Sequence, residues 1–294
     1  MAGYQGTKIN PTRFHPSQLV FYAWLVPLAL FMVLPIVFIV AHAFKPLDEL
    51  FAFPPRFLVA RPTLQNFADL FQKTQKGDSL SVPMTRYLFN SIVASGVVVV
   101  LTVLVAAMGG YALSKKRFRM RKLLFEVNTL ALMFVPAAVA IPRYLIVANA
   151  GLVDTALAHV LPLLAMPIGL FLVKQFIDQV PDSLIEAARI DGAGDWLIFR
   201  RIVVPAIAPA LATVAILAFQ AVWNNVETSA YYVDDESLRT FAFYLSTVTA
   251  DASNRVVGQG MAAAGALLMF VPNLVIFILM QSRVMNTMTH SGIK

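Results

Sequence analysis

The sequence predicts an all-α integral membrane protein with six transmembrane helices. Three observations carry that expectation. Of the 294 residues, 59% are hydrophobic and only 13% charged, whereas a soluble domain carries about 25% charged residues. Six stretches are apolar over enough length to cross a hydrocarbon layer, a layer ~30 Å thick that takes about 20 helical residues. Lysine and arginine gather in short connectors between those stretches, a pattern that sets membrane orientation.

In chain order the expected spans are Leu19–Phe44, Tyr87–Ser114, Leu123–Val147, Thr155–Phe176, Ile202–Ser229 and Val257–Arg283. The first follows a polar start and is longer than a signal-peptide core, so it is expected to stay in the mature chain. Prolines recur in these runs, among them Pro27, Pro35, Pro136, Pro142, Pro162, Pro167, Pro205, Pro209 and Pro272. Bundles in lipid tolerate them because neighbouring helices re-satisfy the freed carbonyls. The connector KKRFRMRK, Lys115 to Lys122, holds six basic residues and no acid, which places it in the cytoplasm. The connector between the fourth and fifth spans then lies on the same side, as do both termini. The fifth-to-sixth loop carries Asp234, Asp235, Glu236 and Asp251 against Arg239 and Arg255, which suits the outer face. Lys45–Arg86 is a long outer loop, and long loops cross largely regardless of charge. The expected organisation is a segment 1–18 in the cytoplasm, a six-span membrane domain 19–284, and a cytoplasmic tail 285–294.

The net charge of +7 is topological and does not form a nucleic-acid face, so no nucleic-acid partner is expected. Without cysteine there is no disulfide, thiolate metal site or cysteine nucleophile. His42 and His159 lack carboxylate or histidine neighbours at ligand spacing, so no metal site is expected. The spans hold too few carboxylates for a proton relay. An intramembrane enzyme would need a nucleophile–base pair that does not show.

The most informative stretch is VPDSLIEAARIDGAGDWLIFRRIVVPAIAPAL, Val180 to Leu211. Asp182 or Ser183 is placed to cap a helix starting near Leu184. That helix should end at Gly192, a residue suited to a left-handed terminus. A second short helix over Asp195–Arg201 should lead into the fifth span through Pro205. A small-residue helix on the cytoplasmic face between two spans is shaped to dock in a groove of another protein.

Glu186-Ala187-Ala188, then Gly192, Ile202 and Pro205, reproduce the spaced E-A-A…G…I-x-L-P signature of ABC importer permeases, with Val204 where leucine is usual. KPLDELFAFPPRF, TLQNFADLF, the YALSKKRF run and QSRVMNTMTHSGIK extend the resemblance over nearly the whole chain. They resemble the carbohydrate-uptake branch, the maltose-permease-G-like subunits of the binding-protein-dependent transport inner membrane component family. Trp223 to Thr240 departs from that pattern, with Asn225 where an acid is common and no proline soon after.

The resemblance implies a type I ABC importer permease fold in a bacterial or archaeal inner membrane. It implies a coupling loop over about 177–202, with Glu186, Ala187, Ala188, Arg189, Asp191, Gly192 and Pro205 contacting an ATPase. Partners would be a second, homologous permease, two ATPase subunits and an extracytoplasmic solute-binding protein. No glycine-rich phosphate loop occurs here, so the chain is expected to be no enzyme and to hold no cofactor, ATP and Mg sitting on the partner. The implied cargo is a saccharide, and glycerol-phosphate cargo stays open. Asn90, Asn128, Trp223, Asn224, Asn225 and Asn273 are candidates for a substrate pathway, since sugars stack on aromatic faces and hydrogen-bond to amides. Gly292 and Lys294 are candidates for a tail contact with the ATPase.

Overall fold

The computed structural model describes residues 17–54, 56–73, 82–252 and 256–291. The first sixteen residues, Gly292 and Lys294 lie outside them. Among the described residues every regular element is helical.

Helix α1 (Ser17–Ala43) is apolar on all sides and contains Pro27 and Pro35. Ala41 and Ala43 at its end are buried, but the most apolar window of its stretch Phe21–Ala43 holds no buried residue, which leaves lipid or another subunit to cover it. The next segment folds back through α2 (Leu47–Leu50) and α3 (Gln65–Lys73). Asn66 ties this excursion down: its Nδ2 donates to the Ala43 carbonyl at 2.9 Å and the Lys45 carbonyl at 2.8 Å. Glu49 does the same from α2, accepting the Ala60 and Arg61 amides at 3.0 and 2.8 Å. Those amide donors hold its carboxyl below the usual carboxylate range.

Helix α4 (Met84–Lys115) is the centre of the bundle and packs against α5 (Arg121–Ala131), α8 (Pro167–Asp178), α12 (Ala208–Trp223) and α14 (Phe241–Ala252). Small residues let it do so. A Cβ built on Gly110 would stand 2.9 Å from Val173 Cγ1, so only glycine admits α8 this closely.

Three of the six expected spans are bent pairs. The third divides into α5 and α6 (Ala140–Asn149), which with its preceding 3₁₀ turn Pro136–Val139 lies at 112° to α5. The fourth divides into α7 (Leu161–Leu164), preceded by a 3₁₀ turn, and α8, at 44°. The fifth bends by 78° at Ile207. Each break lies beside a proline, Pro136, Pro167 and Pro209, whose missing N–H and fixed φ interrupt the ladder. With α1, α4 and α15 (Val256–Ser291), the bent pairs make up to six crossings.

Other limits also move. The fifth span stops at Trp223, short of the expected Ser229, because Asn225 Oδ1 accepts the Thr228 amide at 2.9 Å and starts a separate helix, α13 (Glu227–Tyr232). Part of the expected outer loop is instead α14, whose Phe241, Tyr244, Leu245 and Val248 pack with Tyr87 and Trp223.

The two ends of α4 sort the connectors. Near its start, Asn90 Nδ2 holds the Ser237 and Arg239 carbonyls at 2.8 and 2.9 Å. Near its end, Lys115 holds the segment after α8. The acidic 234–236 loop and the 178–203 loop therefore occupy opposite ends of the molecule.

Candidate functional site

The 178–203 loop is built from α9 (Asp182–Ile190), α10 (Asp195–Ile198) and a π turn over Phe199–Val203, and α11 (Val204–Ala206) follows it. The helix begins earlier than the capping pattern suggests. Pro181 precedes it, and Asp182 makes no cap, because its carboxylate pairs with Lys115 Nζ at 2.7 Å. The far end is as expected. Gly192 has φ +83°, its amide donates to the Arg189 carbonyl at 3.0 Å, and the Ala193 amide donates to Ala188 at 2.9 Å. Those two bonds make a Schellman terminus, which needs a left-handed residue at that place.

One side of α9 is anchored and the other is bare. Ile185 is buried with Ile198 and Phe199 among Ala106, Ala107 and Tyr111 of α4 and Val173 and Ile177 of α8. Ser183, Glu186, Ala187 and Ile190, spaced on the opposite face, are exposed. Ile190 is 86% exposed and Trp196, the second residue of the next helix, 64%. Glu186 has no hydrogen-bond or ion-pair partner among the described residues. Arg189 turns aside to Asp195 at 3.6 Å. Ala188 is half-buried, and Asp191 and Pro205 are exposed. Pro205 follows the π turn, in which the Val204 amide reaches the Phe199 carbonyl, a geometry that accommodates the bend ahead.

Two lysines set the electrostatics. Lys115 Nζ donates to the Val180 carbonyl and to Asp182, both at 2.7 Å, from a side chain that is 8% exposed. Lys116 pairs with Asp195. These ammonium donors hold the Asp182 and Asp195 carboxyls below the usual carboxylate range.

The pathway candidates fall in separate places. Trp223 is buried, stacked on Phe219 at 5.5 Å, and its indole N–H donates to the Met269 carbonyl at 3.1 Å. Asn273 Nδ2 reaches Asn224 Oδ1 at 3.2 Å, joining α15 to α12. Asn225 starts α13, and Asn90 secures the far loop. Asn128 borders an open cleft, of about 170 Å³, at the α7–α8 break. There it donates to the Pro167 carbonyl at 3.1 Å. Val105, Leu164, Met166 and Leu170 supply apolar walls. Thr102 also lines the cleft; it is 1% exposed and its hydroxyl has no partner among the described residues. Sequence reasoning passed over it, although a lone small hydroxyl inside the valine-rich run is the signal that marks it.

Residues 103–282 match the family described as "Binding-protein-dependent transport system inner membrane component". The chain is 30% identical over 273 residues to the arabinooligosaccharides transport system permease protein AraQ of Halalkalibacterium halodurans, covering 91% of this chain and 93% of that one. It is 31% identical over 245 residues to the sn-glycerol-3-phosphate transport system permease protein UgpE of Yersinia enterocolitica, covering 82% and 86%. Against the melibiose/raffinose/stachyose import permease protein MelC of Bacillus subtilis the figures are 26% over 235 residues, 79% and 81%. Its fold is similar to a chain of a bacterial ABC transporter involved in import of the acidic polysaccharide alginate, with TM-score 0.74 and 21% identity over 92% of this chain and 99% of that one. With the spaced motif intact and the family matched over more than half its length, this chain belongs to the binding-protein-dependent transport system inner membrane components.

Proposed function

We propose that this permease subunit forms, with a second homologous permease, an alternating-access pathway for a saccharide, and that separate ATPase subunits drive it. The observation that carries the coupling half is the bare face of α9. A helix anchored by Ile185 on one side, with Ser183, Glu186, Ala187 and Ile190 exposed on the other and no partner for Glu186 among the described residues, is shaped to enter a groove. Small side chains and one free carboxylate suit a groove with a basic residue at its mouth. ATP and Mg would sit on two ATPase copies, one per permease, and an extracytoplasmic binding protein would deliver the cargo. In this reading the membrane is the inner membrane, both termini face the cytoplasm, and the tail with Gly292 and Lys294 reaches the ATPase. The loop 177–202 then works as the coupling unit between segment 1–18 and tail 285–294.

The carbohydrate cargo is supported by the names of relatives such as AraQ and MelC. The neutral, part-apolar cleft beside Asn128 and Thr102 fits it too, since a sugar presents hydroxyls on its rim and C–H groups on its faces. UgpE favours a second reading, a glycerol phosphate. That cargo asks for arginine or lysine at its phosphate, and no basic residue lines this cleft.

The test is co-expression with the neighbouring permease, ATPase and binding-protein genes. Recovery of the ATPase and stimulation of ATP hydrolysis by a saccharide with its binding protein are expected. A folded wild-type chain that recovers no ATPase would sink the reading, and stimulation by glycerol phosphate alone would replace the cargo.

A further inference from the structure

The basic connector after α4 is explained by orientation only in part. Arg117 and Arg119 lie exposed, but the first two members, Lys115 and Lys116, are engaged. Lys115 closes on the entrance of the docking loop, at the Val180 carbonyl and Asp182, both at 2.7 Å. Lys116 closes on its exit, at Asp195, where Arg189 of α9 also arrives at 3.6 Å. Next to them, Ser114 Oγ donates to Asp178 at 2.5 Å, fastening the last turn of α8 to the same point. Three consecutive residues of one helix end thus hold the loop at both of its mouths.

The contacts beneath these ties are tight. Ile185, Ile198 and Phe199 share one core with Ala106, Ala107 and Tyr111 of α4. Moving the loop relative to α4 would break ion pairs at both mouths and open that core. The covalent routes out of the loop are weaker levers. Pro181 interrupts the ladder on the α8 side, and the π turn Phe199–Val203 with the 78° bend interrupts it on the α12 side. A helix transmits force where its hydrogen-bond ladder is continuous, and α4 runs unbroken from Met84 to Lys115.

We infer that Lys115 and Lys116 are positioning residues that clamp the docking loop to α4, so that motion imposed on α9 is delivered to the central helix. The α4 end furthest from the clamp holds the Ser237 and Arg239 carbonyls through Asn90, so the same rod would move the 237–239 segment. This inference rests on the ATPase-docking role proposed above. It goes further by naming the helix that receives the stroke and the side chains that pass it on.

The chain has no cysteine, which permits a reversible test in the assembled importer. Lys116→Cys/Asp195→Cys would be joined by a short, reducible bis-methanethiosulfonate in proteoliposomes. Saccharide uptake per ATP hydrolysed is the readout, with ATPase recovery measured on the same sample. The unlinked variant should recover the ATPase like the wild type yet lose about five-fold or more in uptake per ATP, the size of a typical coupling free energy. Linking should restore the ratio, and reduction should remove it again. An unlinked variant with the wild-type ratio overturns the clamp, as does one that fails to recover the ATPase, since the pair would then be part of docking. A second readout needs no partner. In the permease alone, amide exchange over 180–197 should rise on Lys116→Ala, and no change there also counts against the clamp. Failure of the wild type itself to recover ATPase is a separate result and strikes the importer assembly.

Discussion

Glu186 and Thr102 are set apart by their surroundings in opposite ways. Glu186 is exposed on a helix whose other charged residues, Asp182 and Arg189, already have partners within the chain. Replacing it with alanine should leave the melting temperature within about 1 °C, as for most surface changes, while ATPase recovery falls ten-fold or so, about 1.4 kcal/mol. Pull-down with purified ATPase checks both. Thr102 is the reverse case, a buried hydroxyl without a partner among the described residues. Thr102→Val keeps the shape and removes an unsatisfied group, so thermal stability should rise, by up to about 1 kcal/mol. If the cleft takes sugar hydroxyls, the same change raises the transport KM roughly five-fold, the worth of one hydrogen bond. An unchanged KM in vesicle uptake would detach Thr102 from the pathway. The Glu186–Gly192 motif was legible because its spacing is a sequence pattern. Thr102 carried only the weaker signal of a hydroxyl inside a valine-rich run; its burial beside the Asn128 cleft is a tertiary fact that no spacing encodes.

Among the elements, α9 was legible in extent and at its end but not at its start. Gly192 could be read from sequence because a left-handed terminus is a property of one residue. Gly192→Ala forces a Cβ into φ +83°, which costs about 1 kcal/mol and should fray the end of α9, seen as faster exchange at Gly192 and Ala193. Asp182 was misassigned as a cap because its partner, Lys115, lies 67 positions away in sequence. That pairing has a pH signature. The hydrogen-bonded, nearby ammoniums of Lys115 and Lys116 hold the Asp182 and Asp195 carboxyls below their ordinary values, with Arg117 and Arg189 adding to the field. Groups with depressed folded-state pKa values stabilise above their unfolded pKa, and that stability is lost as pH falls through the folded value. The melting temperature of the wild type should therefore exceed that of Asp182→Asn/Asp195→Asn at neutral pH. The gap should close as pH drops below about 3.9, the ordinary aspartate value. A gap that persists in acid would mean these pairs do not supply the difference.

For the molecule as a whole, membrane placement follows from the opposite locations of the two loops. A cysteine at Phe118 in the basic connector should react with an impermeant maleimide only from the cytoplasmic side. One at Ser237 should react from the outside in intact cells. Labelling of both from one side would refute the proposed orientation. The exposed apolar surface of α1 has the same logic, since lipid is a solvent that rewards it.

The fold class, the approximate positions of the spans and the Gly192 terminus could all be read from the sequence. Each depends on composition, on periodicity or on one residue's backbone, which are local quantities. The bends at Ile207 and at the two other proline breaks, the α14 helix inside an expected loop, and the Thr102–Asn128 cleft could not. Prolines mark where a helix can bend, but packing against α4 sets the angle. The pairing of Lys115 with Asp182 and of Lys116 with Asp195 belongs to the same class. Charged residues in a connector carry no partner until Gly110 lets α8 close on α4 and brings the loop beneath them.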